Sequence, residues 1–298
     1  MNTTNTADAE SAARSIHPET ILGPVTIRVA DASRSLHFYQ ETLGFVIVGE
    51  AAGMPALGAS GGDGLPIVVL KQTPGARPAR HTSGLYHFAV LVPSRPALGR
   101  VLRRLAKAEV PIGEADHLVS EALYLTDPDG NGIEVYCDRP RDQWRWEDGT
   151  VKMATEPLDL GDLLREGYKE VEASDWLPAG TRIGHVHLQV SDVQKAVAFY
   201  HGILGFDIVS AWQGAAFVSA GGYHHHLGLN SWSSRGAPPA PPGSSGLESF
   251  IIRTPNAEEQ ERLAGWLKEA GLESVQSEGA VRFRDPWNIE VAVTQRES

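Results

Sequence analysis

The chain contains an internal duplication that constrains its architecture before any single residue is interpreted. The segment from Asp31 to Phe45 recurs from Asp192 to Phe206, with an Asp, a Phe-Tyr pair and a Leu-Gly-Phe triplet in identical register. Repeated sequence of this kind predicts repeated supersecondary units. Each candidate functional residue can therefore be compared with its counterpart in the other copy.

Each half of the sequence divides again into two units of similar plan. Modules one and three begin near Ile21 and Arg182 with an alternating strand that leads into the repeated helix. Modules two and four begin at Gly84 and Gly246 with a strand, followed by a helix and further strands. This pattern predicts an α+β fold made of four βαβββ modules.

The duplication also predicts where the domains lie. With 298 residues, of which 42% are hydrophobic, the chain is long enough for two ordinary cores. We expect a first domain at 21–140 and a second at 181–296. The polar N-terminal segment 1–20 is expected to be a disordered tail, and 141–180 is expected to be a linker.

The charge and composition of the sequence exclude some classes of binding partner. The net charge is −11, and Lys and Arg are scattered, so the sequence has no basic patch for nucleic acid or for an anionic membrane. No apolar run approaches the roughly 18 residues that span a bilayer. The single Cys137 excludes an intrachain disulfide. We predict a cytoplasmic protein with a small-molecule partner, and the sequence leaves open whether it forms a homo-oligomer.

The strand that opens module three carries two histidines on one face. Alternation places His185, His187 and Gln189 on one side, while Val186 and its apolar neighbours lie on the other. Because unpaired buried polar groups are costly, the polar face is expected to line a cavity or meet solvent. A lone strand histidine is more often a structural hydrogen-bonding residue than a ligand, so this pattern alone does not establish a site.

Comparison of the four modules predicts a metal site. Corresponding positions of the four first strands hold Pro24, His87, His185 and Ser249. The last strands of modules two and four hold Glu134 and Glu290. Only pairing of module two with module three brings together two histidines and a carboxylate, namely His87, His185 and Glu134. Such a set suits mononuclear iron(II), and manganese(II) accepts the same ligands. We therefore predict non-sequential pairing and one metal site.

A run of three histidines lies between Tyr223 and Leu227. Adjacent residues of a regular strand face opposite sides, so all three cannot chelate one ion. For His224 and His226, a partly exposed strand end is an equally good interpretation. Simple alternation would group His225 with the leucines that follow it, which leaves the direction of its side chain open.

Two further polar residues precede the candidate ligand Glu134. Tyr124 is predicted to lie on the strand next to the one that carries Glu134, and His117 comes shortly before it. A phenol and an imidazole beside a metal can donate hydrogen bonds to bound substrate or oxygen. On pattern alone, Tyr124 is equally explained as a core residue.

These residues together resemble the vicinal-oxygen-chelate superfamily, whose paired βαβββ modules surround a metal. The repeated segment is typical of the superfamily. The run from Gly84 to Pro140, followed by Gly221-Gly-Tyr-His-His-His, resembles more specifically the two-domain bacterial catechol 2,3-dioxygenase family. The resemblance covers nearly the whole chain. One departure concerns order, because here the module with the His/Glu pair precedes the module with the other ligand histidine.

The resemblance implies roles for individual residues. The metal ligands would be His87, Glu134 and His185. The acid–base residue would be His225. Tyr124 and His117 would assist catalysis and bind the substrate, and His187 is a further candidate for substrate binding because it shares a strand face with a ligand.

The implied reaction is extradiol cleavage of a catechol-type or hydroquinone-type diol by dioxygen at iron(II). A glyoxalase-like isomerase or thiol transferase is an alternative, but such sites usually draw a second carboxylate from the partner module, and module three offers none. A metal-free binding protein of the bleomycin-resistance type is another alternative, but it leaves His87, His185 and Glu134 unexplained.

Modules one and four lack the ligand set and are expected to form a scaffold or an interface.

Overall fold

Two eight-stranded sheets organise the part of the chain described by this computed structural model, residues 14–169 and 175–296. Module one comprises β1 (Ile21–Val29), α1 (Ala32–His37) with a π-helical turn (Phe38–Leu43), β2 (Val46–Ala51), β3 (Met54–Gly58) and β4 (Val68–Gln72). Module two comprises β5 (Gly84–Leu91), α2 (Arg95–Lys107), β6 (Gly113–Asp116), β7 (Ser120–Thr126) and β8 (Gly132–Asp138).

The connection and the second half follow the same plan. The connection holds a 3-10 turn (Arg141–Gln143), β9 (Trp146–Glu147), β10 (Thr150–Val151) and α3 (Leu160–Gly167). Module three comprises β11 (Arg182–Gln189), α4 (Val193–Tyr200), β12 (Asp207–Trp212), β13 (Ala215–Ser219) and β14 (Leu227–Asn230). Module four comprises β15 (Gly246–Thr254), α5 (Ala257–Glu269), β16 (Ser274–Ser277), β17 (Ala280–Arg284) and β18 (Glu290–Gln295).

Each sheet combines one module from each half of the sequence. The strand orders are β16-β17-β18-β15-β1-β4-β3-β2 and β12-β13-β14-β11-β5-β8-β7-β6. Module four therefore pairs with module one, and module three pairs with module two through antiparallel β5 and β11. The predicted α+β architecture of βαβββ modules is confirmed, and the pairing is non-sequential as predicted. Whether 21–140 and 181–296 also act as separate folding units stays a prediction.

The repeated motif is explained by the local structure of the helix that follows each first strand. Asp31 and Asp192 are N-caps whose side chains accept hydrogen bonds from backbone N–H groups of the first turn. Gly44 and Gly205 end these helical segments with φ of 87° and 78°. Positive φ favours glycine because other residues clash there. The phenylalanine that follows each glycine is buried in the core.

The tyrosine of the repeated Phe-Tyr pair links consecutive modules. The Tyr39 hydroxyl donates to Asp127 at 3.1 Å, and the Tyr200 hydroxyl donates to Asp285 at 2.9 Å. Both carboxylates also accept backbone N–H groups of their own turns. Modules one and two lie in different sheets, and so do modules three and four, so each buried pair fastens one sheet to the other.

Two boundaries differ from the sequence prediction. Residues 1–13 lie outside the described residues, but 14–20 are not a disordered tail, since Ile16 is buried and its N–H donates to the carbonyl of Gly205 at 2.8 Å. The expected linker contains α3, which packs Leu163 into the core beside α2. No helix in the described ranges has the length and apolar character needed to cross a membrane. The cytoplasmic location stays a prediction.

The Tyr200–Asp285 pair gives a pH-dependent prediction. Burial raises the pKa of Asp285 to about 6, and the Tyr200 hydroxyl opposes this rise. Tyr200→Phe should therefore raise this pKa further. A carboxyl with a raised pKa in the folded state contributes stability at low pH that is lost as the pH rises through that value. The variant should lose about 1–3 kcal/mol of unfolding free energy at pH 7.5 and less at pH 4.5.

Urea unfolding of the variant and the parent chain at the two pH values measures this difference. Tyr168→Phe is the control, because Tyr168 is exposed and its hydroxyl can bond to water instead. An equal loss at both pH values would contradict the proposed contact between the hydroxyl and the ionised carboxylate.

Candidate metal centre

Strand register places the predicted metal ligands on one face of the sheet built from modules two and three. In the antiparallel β5/β11 pair, His87 lies opposite His187, and His185 lies opposite Ala89. In the parallel β5/β8 pair, Ala89 lies opposite Glu134. Because paired residues share a sheet face, the five side chains project to the same side. The small Ala89 side chain separates the two longer ligands that flank it.

The three side chains converge on one point. The Nε2 atoms of His87 and His185 are 3.3 Å apart, and Oε2 of Glu134 is 3.0 Å from each of them. One ligand atom from each residue lies within 4.8 Å of the other two, and all three residues are buried. This donor set of two imidazoles and one carboxylate matches the ligands of mononuclear non-haem metal sites.

Electrostatics also favour a cation at this point. Burial alone would raise the pKa of Glu134, but the neighbouring imidazoles of His185 and His87 lower it well below its ordinary value. Burial lowers the pKa of His185 to about 4, so this ring is neutral at neutral pH. The described residues that line the adjoining cavity include no Lys or Arg. A buried carboxylate without a cationic side chain is stabilised by a bound metal ion.

His225 faces the same cavity. Its ring centroid is 4.1 Å from that of His185 and 5.0 Å from that of Phe217. His225 does not follow the alternation that would group its side chain with the leucines after it. The strand β14 begins only at Leu227, and His225 belongs to the irregular segment before it. Burial lowers the pKa of His225 well below its ordinary value, so the imidazole is neutral and can accept a proton.

The two neighbouring histidines are buried, so the interpretation of a partly exposed strand end is wrong for both. The Nε2 atom of His224 lies 3.0 Å from Oδ1 of Asp138, and its Nδ1 atom lies 2.8 Å from Nδ1 of His225. His226 points away from the cavity, where its Nδ1 accepts the backbone N–H of Ala220 at 3.1 Å. Polar partners explain how these rings are accommodated in the interior.

Tyr124 and His117 form a hydrogen-bonded pair at the cavity wall. Tyr124 lies opposite Glu134 in the β7/β8 pair, which places its side chain on the ligand face. Its oxygen is 2.6 Å from Nε2 of His117, while Nδ1 of that ring is 2.6 Å from the carbonyl of Ala154. A carbonyl only accepts, so His117 donates from Nδ1 and accepts from the tyrosine at Nε2. Burial raises the pKa of Tyr124 well above its ordinary value, so the phenol stays protonated.

His187 also lines the cavity, close to the mouth. The amide of Asn230 donates to Nε2 of His187 at 3.0 Å, which fixes the orientation of the ring. Gly228 on the neighbouring strand leaves room for this ring, because a Cβ atom there would lie 2.7 Å from it. This contact explains why the run after the three histidines contains a glycine.

The cavity itself has a volume of about 330 Å³ and a largely aromatic rim. Tyr86, Trp212 and Trp232 are 42%, 47% and 51% exposed, and they come from three separate segments of the chain. Met153 and Thr155 of the connection complete one wall. Sequence analysis missed these residues, since aromatic residues in loops and at strand ends carry no periodic signal.

The sheet of modules one and four does not repeat this arrangement. Phe250 lies opposite Val291 as Phe88 lies opposite Ile133, so Ala292 takes the position that Glu134 has in the other sheet. Glu290 lies two residues earlier, opposite Ser249, and is paired with Arg282 at 3.3 Å. Within residues 14–169 and 175–296, the cluster of His87, Glu134 and His185 is the one group with the spacing of a metal site. The duplication has thus kept the fold in both sheets and the ligand set in one.

Comparison with known proteins agrees with this geometry. The model of the Glyoxalase/Bleomycin resistance protein/Dioxygenase superfamily matches residues 21–135 and 182–293. The chain belongs to this superfamily. A catechol-2,3-dioxygenase of Bacillus subtilis (strain 168) is 46% identical over 277 residues, which cover 91% of this chain and 96% of that protein. The predicted membership of the catechol 2,3-dioxygenase family, and with it the prediction of an enzyme of this type, is confirmed.

Solved structures of other proteins share the fold at low sequence identity. A proposed dioxygenase of Bacillus subtilis subsp. subtilis str. 168 has a TM-score of 0.65 and 16% identity, covering 95% of this chain and 87% of its own. Glyoxalase I from Zea mays has a TM-score of 0.55 and 16% identity, covering 93% and 92%. Family membership implies a metal cofactor, and the cluster on β5, β8 and β11 fits one.

The ligand assignment predicts that Glu134 and Glu290, which lie on the last strands of modules two and four, differ in their effect on metal binding. Glu134→Gln removes the anion of the cluster and should lower metal content after loading and desalting at least about 10-fold. Glu290→Gln, on the last strand of the other sheet, should bind as much metal as the parent chain. Elemental analysis measures both. Equal metal content in the two variants would show that Glu134 is not a ligand.

Proposed function

We propose that this protein is an extradiol ring-cleaving dioxygenase that inserts both atoms of O2 into a catechol-type aromatic diol at a mononuclear iron(II) site. The observation that carries the proposal is the buried cluster of His87, Glu134 and His185 facing a cavity that also holds His225. Relatedness to the catechol-2,3-dioxygenase of Bacillus subtilis supports the reaction type. Manganese(II) and hydroquinone-type diols suit the same ligand set.

The residues around the cluster suit the steps of such a reaction. Bound iron(II) would supply the positions at which diol and dioxygen meet and the redox chemistry that joins them. His225, a neutral imidazole beside His185, accepts the proton of a diol hydroxyl. It returns that proton later, so that diol and O2 give a ring-opened semialdehyde acid with no atom lost. The phenol of Tyr124 donates its proton to His117, so its oxygen orients a diol hydroxyl by accepting a hydrogen bond from it.

The cavity walls indicate an uncharged diol. The described lining contains no Lys or Arg, and Glu114 adds a negative charge. A carboxylate on the substrate would be buried without a cationic partner, which is costly. The rim of Tyr86, Trp212 and Trp232 instead offers apolar surface to a hydrocarbon substituent. We therefore propose catechol and alkylcatechols rather than carboxylated catechols as substrates.

Variants separate metal binding from proton transfer. After anaerobic loading with Fe(II), addition of catechol and air should give a yellow ring-fission product and stoichiometric oxygen uptake. His185→Ala should lose both metal and turnover. His225→Ala should keep its metal and lose turnover by about 100-fold or more, because it removes the general base.

Each other result selects a different function. Metal binding without oxygen uptake across several catechols and hydroquinones would favour the isomerase or thiol transferase. A chain that binds an aromatic compound but no metal would favour sequestration. Loss of metal in His225→Ala would move this residue into the ligand set.

Substrate charge gives a separate prediction. Turnover of 4-methylcatechol should exceed that of 3,4-dihydroxybenzoate by at least about 10-fold in kcat/KM, because the second compound places a carboxylate against apolar walls and Glu114. Both compounds are substituted at the same ring position, so substituent charge is the main difference. Equal or reversed kcat/KM values in the oxygen-uptake assay would contradict the proposed specificity.

A further inference from the structure

A chain of hydrogen bonds runs from Asp138 at the end of β8 to the cavity. Oδ1 of Asp138 lies 3.0 Å from Nε2 of His224, and Nδ1 of His224 lies 2.8 Å from Nδ1 of His225. His225 lines the cavity beside the metal cluster. In the described part of the chain, this contact with His224 is the one hydrogen bond of the His225 ring.

The donor and acceptor in each of these hydrogen bonds follow from the carboxylate of Asp138, where the series begins. A carboxylate only accepts, so Nε2 of His224 carries a proton and donates to Asp138. A neutral imidazole carries one ring proton, which leaves Nδ1 of His224 as an acceptor. Nδ1 of His225 must then be the donor in the contact between the two rings. Its own Nε2 is left with a lone pair on the side of the ring away from His224.

Two tyrosines hold the carboxylate in place. The hydroxyl of Tyr223 donates to Oδ1 of Asp138 at 3.2 Å, and it lies 2.6 Å from the hydroxyl of Tyr136. Tyr136 is fully buried and reaches this position because the residue before His185 is Gly184, where a Cβ atom would fall 1.7 Å from the tyrosine oxygen. The space that Gly184 leaves beside the candidate ligand His185 therefore also helps to hold the carboxylate of Asp138 in place.

We propose that Asp138 and His224 are positioning residues that hold His225 in its Nδ1–H tautomer, with Nε2 presented to the cavity as the proton acceptor. Second partners of this kind commonly fix which nitrogen of a functional histidine is protonated. The role of His225 as a base rests on the proposed function, whereas the tautomer follows from the hydrogen bonds of two imidazoles that carry one ring proton each.

Nitrogen NMR tests the tautomer without reference to activity. The protein is labelled with ¹⁵N-histidine and loaded with diamagnetic Zn(II), and long-range ¹H–¹⁵N spectra are assigned with His224→Asn and His225→Gln. We expect His225 to be protonated at Nδ1 and unprotonated at Nε2, and His224 to show the opposite tautomer. A His225 ring protonated at Nε2, alone or together with Nδ1, would overturn the proposal.

Paired substitutions test the consequence for turnover. His224→Leu removes the acceptor, whereas His224→Asn retains an oxygen near the position of Nδ1. The leucine variant should lose 10- to 100-fold in kcat, as is typical when an outer partner of a site residue is removed. Its metal content should be retained and its KM should change less than about 2-fold, because substrate contacts are intact. The asparagine variant should recover most of the lost kcat.

The control is Thr294→Val, a polar-to-apolar change on β18, the last strand of the other sheet, away from the metal cluster. This variant should match the parent chain. Equal losses in the leucine and asparagine variants, or no loss in either, would overturn the positioning role. If the parent chain showed the expected tautomer but cleaved no diol, the proposed function would fail while the tautomer stood.

Discussion

The antiparallel pairing of β5 with β11 is the constraint on which the site depends. This pairing puts His87 opposite His187 and His185 opposite Ala89, while the parallel pairing of β5 with β8 puts Glu134 opposite the same alanine. A slip of one residue in either register would turn a ligand toward the apolar core. Val186 and Leu188 of β11 oppose such a slip, because their burial on the other face depends on the same register.

Burial then determines the chemistry available to these side chains. It keeps His185 neutral, while the two adjacent imidazoles keep Glu134 ionised, so a carboxylate lies in a cavity without a described Lys or Arg side chain. In the other sheet Ala292 takes the position of Glu134, and Glu290, two residues earlier, is paired with an arginine on its own hairpin. One duplicated fold thus provides a site suited to a metal and a sheet that supports it through the buried tyrosine–aspartate pairs.

Much of this arrangement could be predicted from the sequence, because periodicity and internal repetition report on backbone geometry. The βαβββ plan, the non-sequential pairing and the convergence of His87, Glu134 and His185 followed from comparing related positions. The surroundings of His224 and His226 did not, since their partners Asp138 and Ala220 lie on a distant strand and in an irregular segment. The aromatic rim was also missed, because its members come from β5, the end of β12 and the turn after β14 and share no repeating pattern.

Anomalous diffraction from crystals loaded anaerobically with iron(II) tests the central claim most directly. Data collected on both sides of the iron absorption edge locate the metal independently of any activity. The structure predicts one anomalous peak per chain, within coordination distance of Nε2 of His87, Nε2 of His185 and the carboxylate of Glu134. A peak beside Glu290, or no peak between these three side chains in fully loaded protein, would contradict the assignment of the metal site.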